Sequence, residues 1–241
     1  MRQIAVFDID GTLFRWQLYH ELVFELKELG HFSENEALGL DTALTSWQAR
    51  RISWRDYESK VIRAIEDNIA NITPETLESA ARAVVERSGH KIYNYTAKLL
   101  RQLQSEGYYT IAISASQQEI AEQFAQRYDF DDCIAAVWER HNGSYTGQKS
   151  RDIFGRKNEI IRDYAQEHPD LTLDGLVAIG DSDGDVSLLQ MAARPIAFNP
   201  SEELLDTAMT NGWSVVIERK NIAYSLEPHD GSYVLEATDR F

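Results

Sequence analysis

The chain of 241 residues has one cysteine, Cys133, which excludes an intramolecular disulfide and any thiolate metal cluster. A reducing compartment is the natural setting for such a chain. Basic residues are few: 24 Lys and Arg stand against 39 Asp and Glu, a formal charge of −15. Binding to a nucleic-acid backbone or an anionic lipid surface draws on clustered Lys and Arg, so neither partner is expected. Long apolar runs are also missing, and no stretch approaches the roughly 20 residues needed to span a bilayer. The start, Met1-Arg2-Gln3-Ile4-Ala5-Val6-Phe7-Asp8, lacks the apolar region and small-residue cleavage site of a signal peptide. A cytoplasmic protein is expected. Internal repeats and low-complexity segments are absent too.

What is present divides by texture. Ile4 to Ile9 is an apolar run broken at Asp8 and ending in an Asp10-Gly11 turn, a pattern that predicts a buried strand. From Trp16 to Arg87 the periodicity is helical, with Leu18, Leu22, Leu26 and Leu29 on one stripe and Trp54, Tyr57, Val61 and Ile65 on another. Thr73-Pro74 opens a further helix as N-cap and first residue. Beyond about residue 91, short apolar strands alternate with helices, and His141-Asn142-Gly143 marks a hairpin. The expected fold class is α/β: a doubly wound parallel sheet with an inserted all-helical cap. Residues 1–13 and 91–218 form the core in this reading and residues 14–90 the cap. The extension 219–241 alternates around His229-Asp230-Gly231 as one more hairpin would.

Doubly wound sheets bind ligands at the carboxyl ends of their strands. Asp8-Ile9-Asp10-Gly11-Thr12-Leu13 stands at the first such exit, Ser114-Ala115-Ser116 at the second, and Gly180-Asp181-Ser182-Asp183-Gly184-Asp185 at a third, while a helix opens near Lys157. If these strands are neighbours, one crevice gathers several carboxylates, a hydroxyl and an ammonium, a setting for the hard cation Mg²⁺. Each motif alone has a plainer explanation: a strand-ending turn, a capping hydroxyl, a solvated lysine, a partial Ca²⁺ loop.

Together and in this order, the motifs resemble those of the haloacid dehalogenase superfamily of phosphatases. The helical insert after the first motif is similar to the cap of its phosphoserine-phosphatase-like branch. The resemblance runs to about residue 218 and implies a Mg²⁺-dependent phosphatase for a small phosphorylated metabolite. It implies Asp8 as nucleophile, Asp10 as general acid and base, Ser114 and Lys157 on the phosphate, and Asp8, Asp10 and Asp181 around the metal. Asp185 either ligates or orients there, and Asp183 is an outer acid. Lys149 competes with Lys157, whose place at a helix start after Gly155 favours it. Phosphotransferase and phosphomutase activity share these residues. A catalytically silent module that binds a phospholigand or a protein is the alternative from another class.

Specificity is expected from the cap. Gln17 stands seven residues after Asp10, where the phosphoserine-specific enzymes carry a Glu for the substrate ammonium, so phosphoserine itself is not transferred. Gln17, Arg51, Arg55 and Ala115 are the remaining substrate candidates. Arg51 and Arg55 belong to a basic stretch, Arg50 to Arg63, that reads equally as a salt-bridged solvated face. Trp16, Trp47 and Trp54 read as a pocket wall or as ordinary core.

Overall fold

The computed structural model describes all 241 residues. The first strand, β1 (Arg2–Asp8), buries Ile4, Ala5, Val6 and Phe7 completely, as a strand covered on both faces must. Four helices follow: α1 (Leu18–Glu28), α2 (Glu34–Gln48), α3 (Trp54–Glu66) and α4 (Pro74–Ser88). Their starts are encoded locally. Ser33 with Glu36 and Ser53 with Asp56 form capping boxes, and Thr73 caps a helix that opens on Pro74.

Alternation then begins with α5 (Asn94–Ser105), β2 (Tyr109–Gln117), α6 (Gln118–Arg127), β3 (Asp132–His141) and β4 (Ser144–Arg151). It continues through α7 (Lys157–Glu167), β5 (Leu171–Gly180), α8 (Val186–Leu189), β6 (Arg194–Phe198), α9 (Glu202–Asn211) and β7 (Ser214–Arg219). A hairpin, β8 (Ile222–His229) and β9 (Ser232–Arg240), closes the chain. The single nine-stranded sheet has the order β4-β3-β2-β1-β5-β6-β7-β8-β9. Its inner pairs, from β3 to β7, are parallel, and the pairs β3·β4, β7·β8 and β8·β9 are antiparallel. The α/β class expected from the sequence is the one observed.

Four elements differ from what the apolar pattern alone suggests. Helix α9 was not anticipated, although Ser201 caps it and Gly212, at φ +67°, ends it. Strands β2 and β5 run further than their apolar centres suggested. Helix α8 ends at Leu189 because Met191 and Ala192 donate to Leu188 and Leu189, three residues back, and tighten the last turn.

The period of two along the strands sorts the interior into two clusters. Ala5 and Phe7 face α1, α4, α5 and α6, whereas Ile4 and Val6 face α7, α8 and α9. The first cluster is continuous with the interior of the four-helix insert, from Leu18 and Leu22 through Tyr57 and Val61 to Val84. The insert therefore shares one core with the sheet.

Candidate active site

Strands β2, β1 and β5 are neighbours at the centre of the sheet, so their carboxyl ends open onto one crevice. Asp8 is the last residue of β1 and is 5% exposed. Its Oδ1 accepts a hydrogen bond from Lys157 Nζ at 2.6 Å, and its buried Oδ2 has no partner in the protein. Lys157, at the first position of α7, also donates to Asp185 Oδ1 at 2.5 Å. The other oxygen of Asp185 is saturated by Asp181 N–H, Ser182 N–H and Ser182 Oγ, at 3.0, 3.1 and 3.2 Å. Lys149 lies elsewhere, 3.0 Å from Glu66 and over the Trp138 ring.

Asp10 is held from three sides. Its Oδ1 accepts from Leu18 N–H at 2.5 Å, and its Oδ2 accepts from Ser114 Oγ at 2.6 Å and Ser116 Oγ at 2.8 Å. Ser116 escaped the sequence reading. The register shift between β2 and β3 at Ser114/Gln117 accompanies this arrangement, and the i, i+2 spacing of the two serines was the available signal. Ala115, between them, is exposed. Ser114 was expected to face a phosphoryl oxygen; in this conformation its hydroxyl points to Asp10.

Gly11 explains how closely the first and third motifs approach. Its φ is +82°, and a Cβ built there would lie 2.0 Å from Asp181 Oδ2. No side chain fits between the two loops. Thr12 Oγ1 lies 3.4 Å from the other Asp181 oxygen.

Asp8, Asp181 and Asp185 each offer an oxygen within 4.8 Å of the others. Burial raises the Asp8 carboxyl, to about 7, with the Lys157 charge opposing and the Asp185 and Asp10 charges adding. Burial also pushes Asp181 well up, reinforced by the charges of Asp8 and Asp185. Burial lifts Asp10, while its serine and amide donors pull it back. Lys157 is held above its ordinary range: burial opposes its charge, but Asp185 and Asp8 outweigh that. One ammonium thus faces more buried carboxylates than it can neutralise. The all-oxygen donor set of Asp8, Asp181 and Asp185 fits a hard divalent cation such as Mg²⁺.

The cap candidates stand at or just before the starts of α1 and α3. Gln17 precedes α1 and is half-buried, with no capping bond from its side chain. Arg51 and Arg55 are exposed, and Arg55 reaches Glu203 at 3.9 Å. Asp183 is exposed as well. Trp16, Trp47 and Trp54 are half-buried and meet one another at ring centroid distances of 5.2 to 5.6 Å.

Comparison with known proteins agrees with this geometry. The chain is 25% identical over 211 residues to a phosphoserine phosphatase of Archaeoglobus fulgidus, covering 86% of this chain and 55% of that protein. It therefore spans about half the length of that relative. It is 24% identical over 237 residues to a histidinol-phosphatase of Neisseria meningitidis serogroup C, covering 90% and 99% of the two chains. A solved protein of unknown function from Bordetella pertussis Tohama I superposes with a TM-score of 0.73 at 21% identity, over 90% of this chain and 99% of that one. The family model described as haloacid dehalogenase-like hydrolase matches residues 5–190, which carry Asp8, Asp10, Ser114, Lys157, Asp181 and Asp185; the chain belongs to that family.

Proposed function

We propose that this protein is a phosphatase that hydrolyses a small phosphomonoester through a phosphorylated Asp8. The observation that carries the reading is the asymmetry of Asp8: one oxygen is anchored by Lys157, and the other is buried without a partner. In the first step Asp8 Oδ2 forms a bond to phosphorus as the bond from phosphorus to the alcohol oxygen breaks, and Asp10 gives that oxygen a proton. In the second, Asp10 takes a proton from water whose oxygen attacks phosphorus. The bond to Asp8 breaks, and inorganic phosphate leaves. Asp10 meets both tasks because its carboxyl is raised by burial yet fixed by Leu18, Ser114 and Ser116.

Lys157 neutralises charge on Asp8 and on the phosphoryl oxygens, and Asp185 keeps its ammonium in place. Ser114 turns its hydroxyl to a phosphoryl oxygen while Ser116 retains Asp10. Asp8, the Asp10 carbonyl and Asp181 would hold Mg²⁺, which supplies charge screening between an anionic nucleophile and an anionic ester. Asp185 holds Lys157 in this assignment, because both its oxygens are already engaged. Residues 14–90 act as the cap over the crevice, residues 1–13 and 91–218 as the catalytic core, and residues 219–241 as an extension of its sheet.

The phosphoserine and histidinol phosphatases among the relatives support a small organic phosphate as substrate. The test is steady-state turnover of para-nitrophenyl phosphate and a panel of metabolite phosphates with Mg²⁺ and then with EDTA. Chelator-sensitive phosphate release, lost in Asp8→Asn, is the expected result. Folded protein that releases none from any ester would sink the reading.

A further inference from the structure

The turn that leads into Lys157 displays a side chain that the phosphoryl chemistry does not use. Arg156 N–H donates to the carbonyl of Ile153 at 3.0 Å, and Gly155, at φ +70°, turns the chain between them. Ile153 is fully buried and anchors one end of the turn. Lys157, bonded to Asp8 and Asp185, anchors the other. Phe154 stands at the corner, 65% exposed, and no other Phe, Tyr or Trp ring of the chain is so open to solvent. Its backbone is held, so the ring has no route into the core.

The ring lies against the acidic loop that follows β5. A Cβ built on Gly184 would stand 3.4 and 3.6 Å from two carbons of the Phe154 ring, so one edge of the ring rests on this glycine. Gly184 is buried between Asp183, which is exposed, and Asp185, which holds Lys157. At the other end of the same loop Asp181 abuts Gly11, whose N–H donates to the carbonyl of half-buried Trp16 at 2.9 Å. An aromatic residue therefore flanks each end of the loop from Asp181 to Asp185, where the crevice opens. Asp8 lies buried at the floor, and attack and departure at phosphorus are in line. The alcohol part of a phosphomonoester then points outward, toward this rim.

Resting on the phosphatase reading, we infer that Phe154 is a specificity-determining residue whose open ring stacks on a planar leaving group, so that the preferred substrates are phosphomonoesters whose alcohol carries an aromatic or heteroaromatic ring. Contact between two such rings is worth more than the area it buries. A saturated ring of the same size covers a comparable part of Phe154 without the electrostatic match of two π-systems.

The experiment compares kcat/KM for 2-phenylethyl phosphate and 2-cyclohexylethyl phosphate, primary alkyl esters of similar leaving ability, with para-nitrophenyl phosphate as the generic ester. The wild-type protein is expected to favour the planar ring by about fivefold, mainly through KM. Phe154→Leu, which keeps an apolar side chain at the exposed corner, brings the ratio to about one, and Phe154→Trp keeps the preference. Equal kcat/KM for the two esters in the wild-type protein, with para-nitrophenyl phosphate turned over, overturns the inference and leaves the phosphatase reading standing. A preference that survives in Phe154→Leu overturns it too. No turnover of any ester removes both.

Discussion

Lys157 Nζ stands 2.6 Å from Asp8 and 2.5 Å from Asp185, a buried cation shared by two carboxylates that lie 177 positions apart in the chain. The arrangement makes Lys157 a fixed counter-charge rather than a mobile one. Lys157→Ala and Asp185→Asn are each expected to lower kcat by at least about a hundredfold. Lys149→Ala is expected to stay within about twofold of wild type, because its ammonium is spent on Glu66 at the surface. Initial rates on para-nitrophenyl phosphate check all three.

Removal of the cation should be visible without turnover. Buried Asp8, Asp181 and Asp185 repel one another, so a bound Mg²⁺ stabilises the folded state. At a hundred times its Kd the gain is about 2.7 kcal/mol. Thermal denaturation with Mg²⁺ and with EDTA is expected to show a clear rise in Tm, absent in Asp181→Asn. A Tm indifferent to Mg²⁺ would remove the metal assignment.

Gly11 predicts a different kind of loss. An alanine there would combine a left-handed φ with a Cβ 2.0 Å from Asp181 Oδ2. Gly11→Ala is expected to lose both the Mg²⁺-dependent rise in Tm and most of the activity, because Asp181 must move. The control is Gly107→Ala: φ there is +86°, with nothing within 4 Å of the added atom. It carries backbone strain alone and should keep the Mg²⁺ response.

His20 gives stability a pH dependence. Its folded pKa is lowered to about 3 by burial, whereas an unfolded histidine titrates near 6.5. Between those values the unfolded chain binds the extra proton, so stability falls as pH drops through that window. From pH 7.5 to pH 5 this group alone costs about 2 kcal/mol. Urea unfolding at the two pH values measures the slope, and His20→Phe, which keeps a ring and cannot titrate, should remove that part of it.

Glu218, 4% exposed on β7, caps a helix far away in sequence. It accepts the N–H groups of Asn94 and Tyr95 at 3.2 and 2.8 Å, where Tyr93 at the N-cap of α5 makes no side-chain cap. Glu218→Ala leaves those half-buried amides without their acceptor and is expected to cost about 1–2 kcal/mol of unfolding free energy. Glu218→Gln should cost less, since one oxygen remains to accept. Chemical denaturation reads both.

Those residues also show what a sequence can and cannot disclose. Asp8, Asp10, Asp181 and Lys157 were legible because each stands at a strand exit or a helix start, and sheet topology brings such positions together. Ser116 was legible in principle, two residues from Ser114 on a strand, but a lone serine after a strand reads as an ordinary turn hydroxyl. Glu218 lay beyond reach altogether, because nothing local ties it to a helix 124 positions earlier. Helix α9 was missed although Ser201 and Gly212 bracket it, since only Leu204 and Ala208 of its residues are buried.

The interior shared by the sheet and the helical insert has a mechanical consequence. A cap with its own core can swing as a rigid lid, with only a thin interface to break. Here Phe14, Leu18 and Leu22 belong to the same apolar cluster as Phe7, Phe124 and Leu103, so a wide swing would expose that cluster to water. Heat should therefore dissolve sheet and helices in one cooperative step.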